Sequence, residues 1–181
     1  MEEIPLLNYR AIMRNKEGIK ILLFKPIDIQ KHRDIVIKFR RDSFKVSFGD
    51  STGFGEDEDY LHWLRNKTCN HPKGFVLIEE DGKVIGQLEL SVKEFQGKRI
   101  GYVNLYYLIP EERGLGKGKE LHNYAKQFFK DNFVQEYHLR VSPTNTAAIG
   151  FYRNNGMVEV GPEADGKVIR MKGELYNPFV I

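Results

Sequence analysis

From Tyr102 to Ile109 the chain reads Tyr-Val-Asn-Leu-Tyr-Tyr-Leu-Ile, an almost unbroken apolar and aromatic run. That is the pattern of a central strand covered on both faces. Pro110 ends it. After Glu111 and Glu112 comes Arg113-Gly114-Leu115-Gly116-Lys117-Gly118, and then the apolar period changes. Leu121, Tyr124, Ala125, Phe128 and Phe129 fall at the i, i+3, i+4, i+7, i+8 positions of an amphipathic helix, whose start is placed at the last glycine.

Upstream, Ile19 to Phe24 reads as a short strand broken by Pro26. Asp28 caps a helix through Ile29, Val36 and Phe39 to about Ser43. Phe44, Val46 and Phe48 alternate briefly before a glycine-rich loop that reaches Gly55. A second helix follows, with Tyr60, Leu61 and Leu64 as its buried stripe and Arg65 and Lys67 at its basic end; Trp63 is core or part of a substrate wall. Phe75 to Ile78 and Val84 to Val92 form a hairpin across Asp81-Gly82. Another turn at Gln96-Gly97 leads into the Tyr102 strand. Downstream, Tyr137 to Ser142 is a strand stopped by Pro143, and Thr144 or Asn145 caps a helix that ends at Gly156. Met157 to Val160 and Lys167 to Leu175 complete the sheet. The order is β α α β β β α β α β β. Residues 1–18 show no clear period and read as an N-terminal arm or helical lead-in against the sheet edge. Residues 19–181 read as one α+β domain.

Composition narrows the class. The 181 residues are 41% hydrophobic and 29% charged, a soluble globular balance, and no apolar run approaches the length of a bilayer span. With Glu2 and Glu3 at the start and no basic leader, a cytoplasmic location is expected. The net charge of +3 is spread along the chain, a mild bias toward anionic ligands rather than a nucleic-acid footprint. Cys69 has no second cysteine to pair with and reads as a structural thiol, and the five scattered His offer no metal-ligand set. Glu56, Asp57, Glu58 and Asp59 read as helix-dipole partners rather than a metal or amine site.

The glycine loop changes the picture most. Alternate glycines leave the main chain bare of Cβ atoms, and the helix behind them starts with unpaired N–H groups and the positive end of its dipole. Arg113, Lys117 and Lys119 add charge of the same sign, which together favours a polyphosphate. The dinucleotide fingerprint needs a glycine where Lys119 stands, and the Walker loop needs Gly-Lys-Ser/Thr; neither fits. Arg-x-x-Gly-x-Gly after a strand and a proline resembles the pyrophosphate loop of the GNAT superfamily of acetyl-coenzyme A dependent N-acyltransferases. A second stretch, Asn145 through Phe151-Tyr152 to Gly156-Met157, is similar to that family's Asn-x-x-Ala-x-x-Phe-Tyr signature. The likeness covers roughly residues 19–175.

The resemblance implies a twisted, mostly antiparallel mixed sheet flanked by helices, whose strands Tyr102–Ile109 and Tyr137–Ser142 splay around a pantetheine arm. It implies an N-acetyltransferase moving an acetyl group from acetyl-coenzyme A, with no metal, to a small-molecule or peptide amine. By the same carry-over the main chain at Leu108 and Ile109 would bond the pantetheine and thioester. Arg113, Gly114, Leu115, Gly116, Lys117, Gly118 and Lys119 would hold the pyrophosphate, Asn145 would contact the pantetheine side, and Tyr152 would protonate the leaving thiolate. A main-chain N–H near Leu108 would meet the oxyanion. Family members carry a glutamate on the central strand; its equivalent here is Asn104, which can only orient a water. Glu89 on the neighbouring strand is the nearest carboxylate candidate for the base if its face points inward, and a solvated surface acid otherwise. Phe44, Phe48 and Phe54 suggest an apolar acceptor wall, and acceptor loops would be Phe44–Gly55 and Gly161–Lys167. No nucleic acid or membrane is expected as partner, and a homodimer is compatible with the reading. The alternative is an acyl-coenzyme A binding sensor or scaffold without turnover.

Overall fold

A computed structural model describes residues 9–175 and shows one eight-stranded sheet with four α-helices. Hairpins build its first half. β1 (Tyr9–Asn15) pairs antiparallel with β2 (Gly18–Pro26), which pairs with β3 (Phe75–Glu80), then β4 (Lys83–Phe95), then β5 (Lys98–Leu108). Two of the tight turns, Asp81-Gly82 and Gln96-Gly97, have positive φ at both central positions, as a turn matched to strand twist requires. In the second half β6 (Glu136–Val141) pairs antiparallel with β8 (Val168–Glu174), and β7 (Val158–Glu163) lies outside β8.

The halves meet at the parallel pair of β5 and β6. It holds over only Gly101↔Tyr137 and Tyr102↔His138, after which the two strands diverge. β5 is also bulged: Glu89 faces Leu105 and Leu90 faces Val103, leaving Asn104 unpaired between them. A bulge bends its strand, here at the start of the opening.

Helices α1 (Ile29–Phe48) and α2 (Asp57–Asn70) cover one face, burying Val36, Phe39, Leu61 and Leu64 against Phe75, Leu77, Leu105 and Tyr107. On the other face α3 (Lys117–Asp131) and α4 (Thr146–Asn154) bring Leu121, Ala125, Phe129 and Ile149 onto Leu88, Leu90, Val103, Leu139 and Met171. Each core therefore follows the periods read from the sequence. Among the described residues no helix is long and apolar enough to cross a membrane.

Four expectations change. Tyr9–Asn15 lies at the sheet edge where the arm is expected, but as a strand of the sheet and not a helical lead-in; its alternating burial is short and its partner is a local hairpin, so no long-range period announces it. Residues 1–8 of that arm lie outside the described residues. Helix α1 does not stop near Ser43 but runs to Phe48, because nothing breaks it before Gly49, whose left-handed φ of 87° and N–H bond to the Lys45 carbonyl form the C-cap. Cys69, read as a structural thiol, is exposed. Finally, α3 begins at Lys117 behind Gly116 (φ 83°), one residue before the last glycine.

Gly101, where β5 and β6 still pair, is held by packing: a Cβ there would lie 2.5 Å from the Phe129 ring, and Phe129 is fully buried. Gly101→Ala should therefore destabilise the fold by about 1–3 kcal/mol through overpacking, read as a drop of about 2–4 °C in Tm per kcal/mol. A Tm unchanged within error would show that Phe129 has room to move.

Candidate active site

The opening between β5 and β6 leaves main-chain groups of β5 without a strand partner. Leu108 directs its carbonyl away from β4, where it accepts the Arg113 Nε–H at 2.8 Å; in a strand its N–H points the same way. Ile109 was expected to serve alongside it, but its N–H is bonded to the Ile85 carbonyl at 2.9 Å and its carbonyl accepts the Glu112 N–H. Of the two, only Leu108 has a main-chain group left for the gap, its N–H, since its carbonyl is held by Arg113.

At the head of the gap the loop after β5 feeds α3. Gly114 and Gly116 have φ of 72° and 83°, and a Cβ at Gly114 would meet nothing within 4 Å. From Gly114 to Gly118 none of the N–H groups reaches an acceptor among the described residues, so the loop presents a run of free donors at the positive end of a 15-residue helix. The side chains behave differently from the sequence reading. Lys117 is buried, 2% exposed, and its ammonium pairs with Glu80 at 2.8 Å and with Glu112; its charge is consumed inside the fold, and only its N–H faces the loop. Arg113 is tied to the Leu108 carbonyl and lies 3.4 Å from Asp42 of α1. Lys119 is exposed.

Inside the gap stands an aromatic cluster. Tyr152 lies 6.2 Å, ring to ring, from Tyr106, whose hydroxyl is 3.3 Å from His122 Nδ1, while Tyr137 approaches His122 Nε2 at 3.0 Å. Burial raises the Tyr152 and Tyr106 phenols well above their ordinary values and, with Lys126 adding, pushes the His122 imidazole down to about 4. The phenols are thus held protonated and the imidazole neutral. The sequence reading missed His122 and Tyr106. The available signal was that His122 shares the i, i+3, i+7 spacing with Ala125 and Phe129, two residues of the helix's inward stripe. Asn145 is the N-cap of α4: its side chain accepts the Ala148 N–H at 3.2 Å.

On the α1/α2 face, below the bulge, Glu89 is fully buried, not a solvated acid. Its Oε1 accepts the Tyr60 hydroxyl at 2.5 Å and Gln87 Nε2 at 2.8 Å; its Oε2 lies 3.5 Å from Arg40 and has no hydrogen-bond partner among the described residues. Arg40 also donates to the Asn104 carbonyl at 2.9 Å, and the Asn104 amide donates to Ser91 Oγ at 2.7 Å. Both candidates for proton handling therefore share one guanidinium. Phe44, Phe48 and Phe54 do come together, with ring centroids 5.7 and 5.9 Å apart at the end of α1, and Phe54 touches Tyr60. Trp63 packs on Phe75 within the core.

Residues 37–157 match the family model described as the acetyltransferase (GNAT) family. The chain is 33% identical over 85 residues to the mycothiol acetyltransferase of Streptomyces griseus, covering 47% of this chain and 27% of that protein. It is 29% identical over 99 residues to the uncharacterized N-acetyltransferase YhfO of Bacillus subtilis, covering 54% of this chain and 66% of that one. The match thus spans about a quarter of the first relative and just under two thirds of the second. The fold is similar to that of the PaiA N-acetyltransferase of Thermoplasma acidophilum solved with coenzyme A, with a TM-score of 0.63 and 22% identity over 84% of this chain and 98% of that one.

The buried imidazole carries a pH signature. With its value lowered from 6.5 to about 4, His122 is neutral in the fold at pH values where the unfolded chain is already protonated. Its contribution is complete above about pH 6.5 and is lost as pH falls from there toward 4, by up to ~3 kcal/mol. In His122→Gln the stability curve over that interval should be flatter than the parent's, as followed by denaturant titration at each pH. Parallel curves would place the acid-sensitive group elsewhere.

Proposed function

The chain belongs to the GNAT family of acetyltransferases, and from that premise we propose that it moves an acetyl group from acetyl-coenzyme A to an amine by direct attack. The observation that carries the reading is the run of free N–H groups from Gly114 to Gly118 at the start of α3, beside the unpaired edge of β5. Donors so placed suit a pyrophosphate, and the open strand edge suits an extended amide-bearing arm. The glycines leave room for the close approach this needs.

The residues then take roles by position. The Leu108 N–H faces the gap and would meet the oxygen that gains charge as the amine attacks the thioester carbon. The attack forms the C–N bond; collapse breaks the C–S bond and leaves a thiolate. Tyr152, a phenol that burial keeps protonated, donates to that sulfur, and the proton the nitrogen sheds as the amide forms restores the phenol. An acceptor enters as an ammonium and must first lose a proton. Glu89 Oε2, buried and without a hydrogen-bond partner among the described residues, supports a role as its destination through a water oriented at Asn104. Arg40, shared by Glu89 and the Asn104 carbonyl, sets the distance between them. Phe44, Phe48 and Phe54 would form the apolar side of the acceptor entrance.

Acetyl-coenzyme A at about 100 times its Kd should raise the melting temperature, by about 2.7 kcal/mol of linkage, with NAD and ATP far less effective. Gly116→Asp should abolish that shift while the ligand-free protein still melts cooperatively, since Asp tolerates the left-handed φ but puts a carboxylate against the pyrophosphate. Equal shifts for ATP, or a retained shift in the variant, would remove the loop from this role.

Tyr152→Phe should lower kcat by about 10²- to 10⁴-fold with little change in the acetyl-coenzyme A melting shift. Because the phenol is raised, the parent's rate should show no decline from this group across the alkaline range up to pH 10. Single-turnover thiol release is the measurement. An unchanged rate would mean the thiolate leaves without help from this hydroxyl.

A further inference from the structure

The core under α1 and α2 takes in residues of β3 and β5 but none from β6, β7 or β8. On that face of the sheet, past the bulge, a different surface begins. Tyr102 of β5 is opposite Ser91 on one side and His138 on the other, at the apex where the strands part. Lys93 of β4 sets its ammonium 3.1 Å above the Tyr102 ring. From the other side Arg170 of β8, 3% exposed, lies 4.0 Å over Phe95 and 5.9 Å from the Tyr102 ring.

The charges on this floor do not balance. Glu163 of β7 is the carboxylate for two guanidiniums, bonding Arg140 Nε at 2.6 Å and Arg170 Nε and Nη2. Lys93 has no carboxylate within ion-pair distance among the described residues and rests on a ring face. His138 adds no positive charge: burial lowers its pKa, its Nε2 is 3.2 Å from Glu136, and its Nδ1 is 3.1 Å from Arg170 Nη1. The Lys93 ammonium is pushed down to about 8, first by partial burial of its stem and then by Arg140 and Arg170, whose effect Glu163 offsets only in part. Arg140 is about half exposed and Lys93 is exposed, so two of these cations can be reached from solvent. A cluster serving only to hold β6, β8 and β7 together would be served by the Arg140–Glu163–Arg170 set without Lys93.

We propose that Lys93, Arg140 and Arg170, arrayed on Tyr102 and Phe95, form the acceptor's second recognition subsite, and that the acceptor is an amine that also carries a carboxylate or phosphate. The proposal rests on the acetyl-transfer reading above and deepens it. Tyr102 and Asn104 are two residues apart on one strand, about 7 Å. An acceptor whose amine reaches Asn104 and Glu89 therefore has its anion over this floor when the two groups are several bonds apart. Lys93 and Arg140 supply charge-assisted hydrogen bonds, while buried Arg170, fixed by Glu163 and His138, supplies field.

The test compares matched amines in thiol release from acetyl-coenzyme A by the full chain. Straight-chain ω-amino acids are paired with their amides, aminoalkyl phosphates with the corresponding alcohols, and short peptides carrying Asp or Glu with their Asn or Gln counterparts. The anionic member of at least one pair should be preferred in kcat/KM by about tenfold or more, the scale of one charge-assisted hydrogen bond. Which pair responds tells a small metabolite from a peptide. The preference should shrink with added salt, and the double variant Lys93→Gln/Arg140→Gln should bring the anionic member down to its neutral partner while keeping the acetyl-coenzyme A melting shift. Equal rates within every pair, or acetylation of neutral amines alone, overturns the subsite and leaves the acetyltransferase reading standing. Loss of the melting shift in the parent protein sinks that reading instead. If acetyl-coenzyme A binds but no anionic amine is acetylated, the subsite assignment is wrong.

Discussion

The two-residue parallel contact between β5 and β6 is the constraint on which the site depends. Parallel strands in a continuous sheet satisfy each other's N–H and C=O groups along their length; here the bulge at Asn104 bends β5 away as soon as the pairing has begun. The gap does not collapse because Tyr106, His122, Tyr137 and Tyr152 fill its inner side, while the Gly101–Phe129 contact pins its apex. Unpaired main chain is normally costly, and it is kept here where an extended ligand would pair it.

Charge near the glycine loop is arranged less directly than a row of basic residues suggests. Lys117 spends its ammonium on Glu80 and Glu112, which fixes the first turn of α3 to the end of β3 and to the start of its own loop. Arg113 holds the Leu108 carbonyl and reaches Asp42, which also accepts the Tyr107 hydroxyl at 2.6 Å. Attraction for an anion is left chiefly to the oriented N–H groups and the helix dipole, which cost no reorganisation on binding. The same contacts link α1 to the loop that follows β5.

The opposite side of the opening holds a buried polar set in a place where the periods would otherwise favour an apolar core. Tyr60 and Gln87 satisfy one carboxylate oxygen of Glu89 and leave the other facing Arg40. A half-satisfied buried acid is expensive to keep, so its retention beside the bulge argues for work done there. Continuous with it, Ser91, Asn104 and Tyr102 carry the polar character of this face out to the cationic floor.

Local chemistry made much of this legible in one dimension. The period change across Pro110, the Asp-Gly and Gln-Gly turns and the helix stripes each depend on neighbours a few residues away, so strands, helices and the glycine loop could be read in order. The motif pair Arg113–Gly118 and Asn145–Tyr152 pointed to the family for the same reason. Tertiary structure decided what depends on distant partners. Lys117 is a loop cation in sequence and a buried one in space because Glu80 is 37 residues away. Glu89 could be called solvated or inward only once α1 and α2 closed over its face, and Ile109 lost its role to the carbonyl of Ile85. The cationic floor is drawn from β4, β5, β6, β7 and β8, and no spacing along the chain announces it, because side chains from different strands become neighbours only through the register of the sheet.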